Sequence, residues 1–408
     1  MSERVDPMAE PDVAVARKVV VAAFLGWTLD AFDFFILIFT FSAVAKTFHV
    51  GITAVTVAVT LTLAMRAVGA LIFGRLADRF GRRPMLMVNI LAFSVLELAT
   101  GFAPTLTAFM ILRALYGIAM GGEWGLGSSL TMETIPVRWR GWVSGLLQSG
   151  YPAGYFLATV LFGLAFPYVG WRGMFMIGAL PALLVLYIRS SVPESPVWRE
   201  MAKQPRVPVS TVLRKHLGLT IYAVILMMAF NFFSHGSQDL YPNVFLGVQH
   251  HFSHATITTI ALIYNAGAII GGIAFGALSQ RIGRRLTIGI AAGLALPLIP
   301  LWAFSSTPLM LGLGAFLMQI CVQGAWGIIP VHLNELSPKE IRATFPGFVY
   351  QLGNFLASYN ATLQASFAAS HNHNYGLAMA LVVGIVAAII VVLMIFGREA
   401  KDISMAHS

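Results

Sequence analysis

The chain has 408 residues, of which 58% are hydrophobic and only 11% charged, with a formal charge of +9, whereas about a quarter of the residues of a soluble domain are charged. This excludes a soluble globular class, and the basic excess does not read as nucleic-acid binding, because Lys and Arg occur in short clusters between apolar runs. The single cysteine, Cys321, lies inside an apolar run, so neither an intramolecular disulfide nor a Cys-based metal site is expected.

Residues 1–18 are polar, and the first apolar run, 19–44, is too long for a signal-peptide core and lacks a clear cleavage site, so it is expected to stay as the first span. Further runs able to cross ~30 Å of hydrocarbon as helix fall near 53–73, 85–103, 107–134, 143–167 and 172–190. After a polar stretch, six more follow near 217–247, 256–279, 286–304, 308–334, 345–369 and 375–397. The sequence predicts an all-α polytopic membrane protein with twelve transmembrane helices, because lipid offers backbone N–H and C=O groups no partner and a barrel would need short alternating strands. Basic clusters follow span two (Arg75, Arg79, Arg82, Arg83), span four (Arg138, Arg140), span eight (Arg281, Arg284, Arg285) and span ten (Lys339, Arg342). Both termini fall on that side, so they are expected in the cytoplasm and the chain in the plasma (inner) membrane.

The polar stretch 191–216 contains Pro193, Pro196, Pro205 and Pro208 and reads as a cytoplasmic linker between lobes 1–190 and 217–408, each of six helices. The lobes are related by a repeat. Gly74-Arg-Leu-Ala-Asp-Arg-Phe-Gly-Arg-Arg83 lies over Gly276-Ala-Leu-Ser-Gln-Arg-Ile-Gly-Arg-Arg285 at an offset of 202 residues, which also places Trp124 on Trp326, Glu133 on Glu335, Pro136 on Pro338 and Arg140 on Arg342. Parallel halves of this kind imply a central cavity between them and alternating access.

These residues resemble the major facilitator superfamily: Gly74–Arg83 its loop signature, Arg113-x3-Gly117-x3-Gly121 its fourth-helix motif, and Pro193-Glu-Ser-Pro196 its end-of-sixth-helix motif. Within it, Asn231-Phe-Phe-Ser-His-Gly-Ser-Gln-Asp239 resembles the seventh-helix signature of the proton-coupled lactate/pyruvate permeases of the sialate:proton symporter family, with Asn243 where that pattern has Thr. Gln351-x-x-Asn354 and Asp30-x-x-Asp33 are similar to that family too. The resemblance implies a proton-coupled carrier, and the short linker, without the extra central spans of sialate carriers, implies a small carboxylate. Gly150-Tyr-Pro-Ala-Gly154 has some similarity to the fifth-helix motif of drug antiporters, and drug export ranks behind uptake.

The candidate chemistry lies in polar residues inside apolar spans. Arg66, in span two, costs ~2.5–3.5 kcal/mol to insert and needs a partner; it is expected to clamp a substrate carboxylate, or else to pair with Asp30, Asp33 or Glu97. Asn231, His235, Gln238 and Asp239 form a stripe on span seven. There His235 beside Asp239 suits acceptance and release of a proton, while Asn231 and Gln238 would hydrogen-bond substrate; the alternative is a helix-packing polar network. Asp30 and Asp33 share a face and can hold one proton between them, or compensate Arg66. Glu123 has Ala325 as its repeat counterpart, and a singly present acid suits proton coupling or the pairing of an arginine. Gln351, Asn354, Gln148 and Tyr151 are further substrate candidates, or helix glue. Trp27, Phe32, Phe34 and Phe35 read as packing or lipid-facing residues.

Asp78, Arg79 and Arg82 are expected to latch the cytoplasmic side, with Asp78 near a helix N-terminus. Gln280 stands in its place in the second loop, so the two gates are expected to differ. Arg113 is grouped with the gating residues, its alternative being a proton-moving role. His250, His251 and His254 read as solvated loop residues, with no metal. The function expected is proton-coupled symport of a small, lactate- or pyruvate-like monocarboxylate by alternating access. One proton with one monoanion is electroneutral, whereas each net positive charge carried inward gains ~2.3 kcal/mol per 100 mV. The alternatives are a larger acid, aromatic or sialic, and a non-transporting carboxylate sensor. No enzyme chemistry, cofactor or nucleic-acid partner is expected; the partners are the acid, the proton and the bilayer, and the chain is expected to act as a monomer.

Overall fold

A computed structural model describes residues 12–204, 207–401, 403 and 405; the first eleven residues and Pro205 of the expected linker lie outside them. The N-terminal half comprises α1 (Val13–Thr47), α2 (Ile52–Phe80), α3 (Arg82–Gly101), α4 (Leu106–Met120), α5 (Glu123–Thr134), α6 (Arg140–Gln148), α7 (Gly150–Ile177) and α8 (Ala182–Ser191). Two short helices, α9 (Pro196–Met201) and α10 (Val209–Lys215), lead into the C-terminal half. That half comprises α11 (Leu217–Gln238), α12 (His254–Ile282), α13 (Arg284–Ala303), α14 (Pro308–Trp326), α15 (Ile329–Leu336), α16 (Thr344–Ala357), α17 (Asn360–Ser370) and α18 (Tyr375–Phe396).

Among the described residues, nine helices are long and apolar enough to cross a membrane. The other three expected spans are helical but interrupted. Span 107–134 divides at Gly121-Gly122, span 172–190 at residues 178–181, and span 345–369 at Ser358-Tyr359. A periodicity reading joins such pieces because each break lasts only a few residues.

The glycines of the fourth-helix motif serve contact. A Cβ at Gly117 would run into the backbone of Thr62, and one at Gly121 into that of Arg66, so α4 lies directly on α2. The two halves meet in the same way at the end bearing the basic loops. Gly141 and Gly145 on α6 face Gly276 and Gly272 on α12, and a Cβ added to Gly125 on α5 would lie 2.9 Å from Gly347 Cα on α16. Large apolar side chains such as Leu164, Leu183, Ile385 and Phe396 are exposed around the bundle, as expected of surface that lipid covers.

Candidate functional site

The two loop signatures build matching charge clusters at the basic end. Gly81 turns the chain at φ 113° and Gly283 at φ 101°, a region that disfavours other residues. Arg82 is fully buried and grips Glu133 through Nε and Nη2, both at 3.1 Å. Its counterpart Arg284 holds Glu335 at 3.0 and 3.2 Å. Glu194 accepts from the N–H groups of Arg82 and Arg83, and Glu399 from those of Arg284 and Arg285. Glu194 and Glu399 thus occupy equivalent places, which a strict offset of 202 conceals because they are 205 apart. Burial pushes the Glu194 carboxyl above its ordinary range despite its backbone donors. At Glu399 burial pushes upward too, but the N–H groups of Arg285, Lys401 and Arg284 outweigh it and hold the carboxyl low.

Each cluster also reaches the other half. Asp78, ion-paired to Arg82 at 3.0 Å, accepts from Ala343 N–H (3.0 Å), Thr344 N–H (3.2 Å) and Thr344 Oγ1 (2.6 Å) at the start of α16. Gln280 accepts from Gly141 N–H at 3.2 Å at the start of α6. The helix-N-terminus position expected for Asp78 is the one observed, and the two seams differ by one charge. Arg79 lies over the Phe80 ring, 5.0 Å from its centroid. The C-terminal segment bridges the seam as well: Ile403 C=O accepts from Arg140 at 3.1 Å and Met405 C=O from Arg342, with Met405 buried. With these contacts made, the basic end is closed.

From the opposite end, a vestibule of about 320 Å³ descends between α1, α7, α11, α12 and α14 and is lined by Phe35, Tyr155, Asp239, Tyr264, Asn265 and Gln319, among others. It continues, through shared Tyr151, Gln238, Asp239 and Gln323, into a deeper cavity of about 50 Å³. That cavity gathers Arg66, Gln148, Tyr151, Asn231, His235, Gln238, Asp239 and Asn354, eight of the residues the sequence nominated. His235 Nδ1 lies 3.1 Å from Asp239 Oδ1, and both side chains are about one-third exposed (32% and 37%). Asn231 donates to Met227 C=O at 2.7 Å, and Gln238 donates to Gln319 at 2.9 Å. Gln148 accepts from Trp124 Nε1 at 3.3 Å, which leaves its amide nitrogen for the cavity.

Arg66 sits between this cavity and a buried acidic group. Its Nη2 lies 3.5 Å from Asp30, and Nε and Nη2 have no hydrogen-bond partner. Asp30, Asp33 and Glu123 are behind the lining, all 0–1% exposed and without hydrogen-bond partners for their carboxylate oxygens. Glu123 borders a separate small space beside Trp27 and Pro330. Arg113 is enclosed within its own half. It donates to Glu97 and Thr100, each at 2.6 Å, with its guanidinium 4.2 Å from the Tyr116 ring centroid. Gln351 is fully buried and does not reach the lining. The aromatic residues of span one differ from the packing reading: Trp27 and Phe34 line the deep cavity and Phe35 the vestibule, whereas Phe32 is buried. Trp326 and Tyr350 join them from α14 and α16. Among the described residues no three His, Cys, Asp or Glu side chains gather as metal ligands would.

Two pseudo-symmetric helical halves, closed at one end around paired charge clusters and open at the other onto a polar cavity, define a transporter fold of the alternating-access kind. The family model of the Major Facilitator Superfamily matches residues 23–358 and 240–404, and the chain belongs to that superfamily. It is 31% identical over 373 residues to a carboxylic acid transporter protein homolog of Saccharomyces cerevisiae, covering 85% of this chain but only 60% of that relative. It is 28% identical to the sialic acid transporter NanX of Escherichia coli over 94% of both chains. With a probable 4-methylmuconolactone transporter of Cupriavidus pinatubonensis it shares 30% identity over 84% of this chain and 81% of the relative. In structure it resembles the proton:xylose symporter XylE with a TM-score of 0.75 at 19% identity, covering 96% of this chain and 98% of that one.

Proposed function

We propose that this chain takes up a small monocarboxylate, of lactate or pyruvate size, together with protons, with the basic end in the cytoplasm and the vestibule facing outward across the plasma membrane. The observation that carries the reading is Arg66, a guanidinium in the lining of the deep cavity and 3.5 Å from the buried carboxylate of Asp30. A substrate carboxylate that turns Arg66 toward itself takes the place of Asp30, and Asp30, left without its cation in a low-dielectric interior, takes up a proton. The two anions exchange one cation, so substrate and proton travel together. His235 and Asp239, at the junction of vestibule and cavity, deliver that proton from the open side. Asn231, Gln238, Gln148, Tyr151 and Asn354 orient the acid; Gln351 supports them from behind. Asp33 and Glu123 extend the buried proton store, and Asp78, Arg79, Arg82 and Arg113 set the balance of states. One chain supplies both walls of the cavity, which supports a monomer as the working unit. Relatives named for carboxylic acid, sialic acid and muconate support an acid as cargo.

The test is uptake of radiolabelled L-lactate into proteoliposomes with and without an inward proton gradient, with pyruvate, acetate, benzoate and sialate as competitors. Gradient-stimulated uptake blocked by pyruvate and not by sialate supports the reading. Absence of lactate uptake, with another acid competing for the site, moves the cargo to that acid.

A further inference from the structure

We infer that Gln364 is a positioning residue for proton transfer: its side-chain amide holds the turn of α11 that brings His235 and Asp239 face to face. The inference rests on the reading of that pair as the proton site. His235 and Asp239 are four residues apart, and they meet at 3.1 Å only while the chain between them keeps its helical pitch. That turn is a weak one. α11 ends at Gln238, and a π-helical segment beginning Tyr241-Pro242 follows it. Gly236 lies between the pair, and glycine disfavours a helix about fivefold relative to alanine. The carbonyls of a helix's last turn have no N–H partner within the helix. His235 C=O takes the N–H of Asp239 at 3.0 Å, and Gly236 C=O takes Nε2 of Gln364, on α17, at 2.9 Å. Gly236 is buried and Gln364 fully so, which keeps bulk water from replacing the amide. The glycine admits this contact: a Cβ at residue 236 would lie 3.0 Å from Val382 Cγ1 and 3.5 Å from Gln364 Nε2. On the other flank α14 holds the side chains of the same turn, with Gln319 donating to Ser237 Oγ at 3.3 Å and accepting from Gln238 at 2.9 Å. Losing one partner of a buried hydrogen bond shifts an equilibrium by about 5- to 150-fold, enough to let the turn open and the pair separate. The titratable groups that face the pair from other helices are Arg66 on α2, Tyr151 on α7, Tyr264 on α12 and Tyr350 on α16. None of them is on α17, so Gln364 reaches the proton only through the turn. Asn360, one turn away on α17 and 1% exposed, has no hydrogen-bond partner for either amide atom among the described residues, and it provides a matched control.

The experiment follows His235 itself. The full chain, carrying isotope-labelled histidine in lipid nanodiscs, is titrated by NMR, and the His235 signal is identified by its absence in His235→Ala. Gln364→Met removes the donor at nearly constant volume, and Gln364→Asn, one methylene too short to reach Gly236 C=O, serves if the Met variant does not fold. The expected result is a midpoint moved by about 0.5 to 1 pH unit, in the direction in which Asp239→Asn moves it, with the midpoint of Asn360→Leu unchanged. Combined with Asp239→Asn, Gln364→Met should add no further shift, because it acts through that carboxylate. A midpoint unmoved by loss of the Gln364 amide, an equal shift in Asn360→Leu, or a full further shift in the combined variant overturns the inference and leaves the proton site standing. Uptake of radiolabelled L-lactate at graded external pH tests the reading beneath it: a pH profile unaltered by His235→Ala with Asp239→Asn removes the proton site, and this inference with it.

Discussion

Replacing Asp78 with Asn perturbs the seam with little change in volume. The carboxylate accepts three hydrogen bonds at the start of α16, at 3.0, 3.2 and 2.6 Å, and does so only while α2 and α16 are in contact. An asparagine keeps one acceptor oxygen and loses the charge that faces both the helix N-terminus and Arg82 at 3.0 Å. A lost side-chain cap costs about 0.5–2 kcal/mol, and a lost anion at a helix N-terminus about 0.3–2 kcal/mol. Because the closed basic end alone contains these contacts, a loss of about 1–3 kcal/mol shifts the population toward the open basic end by about 5- to 150-fold. The reporter is Ser128→Cys in a Cys321→Ser background, since Ser128 is buried at the seam, where Asn334 donates to it at 3.3 Å. Labelling by a maleimide supplied from the basic side should accelerate by the same factor in Asp78→Asn. Unchanged labelling in a protein with an unchanged melting temperature would refute the argument that this cap holds the seam.

Four further outcomes follow from the geometry. Arg66→Lys keeps the charge beside Asp30 but not the planar fork, and should lower uptake efficiency about 10- to 100-fold with the fold intact; unaltered kcat/KM would remove the clamp. His235→Ala combined with Asp239→Asn should flatten the dependence of uptake on external pH across about pH 5 to 8, and an unaltered pH profile would remove that proton site. Gly145→Ala places a methyl group against Gly272 C=O, so α6 and α12 must separate and the Ser128→Cys reporter should label faster than in its parent; slower labelling contradicts the glycine contact. Glu399 is held below the ordinary carboxylate range, so its contribution is full above its unfolded pKa and is lost as pH falls through the lower folded value. Glu399→Gln should therefore lose less melting temperature than the parent between about pH 5 and pH 3, and parallel curves would argue against the backbone cap.

The bundle was legible because lipid forces each span to be long and apolar, and the repeat was legible because Trp124 and Trp326, Glu133 and Glu335 keep one spacing. The stripe on α11 followed from its period, and the structure places Asn231, His235, Gln238 and Asp239 together in the cavity lining. Depth was not legible. Helical spacing puts Asp30 and Asp33 on one face, but only the packing of α1 against its neighbours decides whether that face meets the cavity or the interior of its own half. The same ambiguity hid Trp27 and Phe34, whose rings suit lipid, core and cavity equally well by composition. Gln351 shows the converse, a polar residue one turn from Asn354 whose side chain the bundle seals off. The pairing of Glu194 with Glu399 escaped because the spacing slips by three residues after the last helix of each half.

Where the C-terminal segment crosses the seam, the groups held by Arg140 and Arg342 are main-chain carbonyls of residues 403 and 405. Every amino acid carries such a carbonyl, so the segment acts as a measured length of string more than as a written word. Inserting or deleting a single residue between Glu399 and Ile403 would move both carbonyls out of register with their arginines.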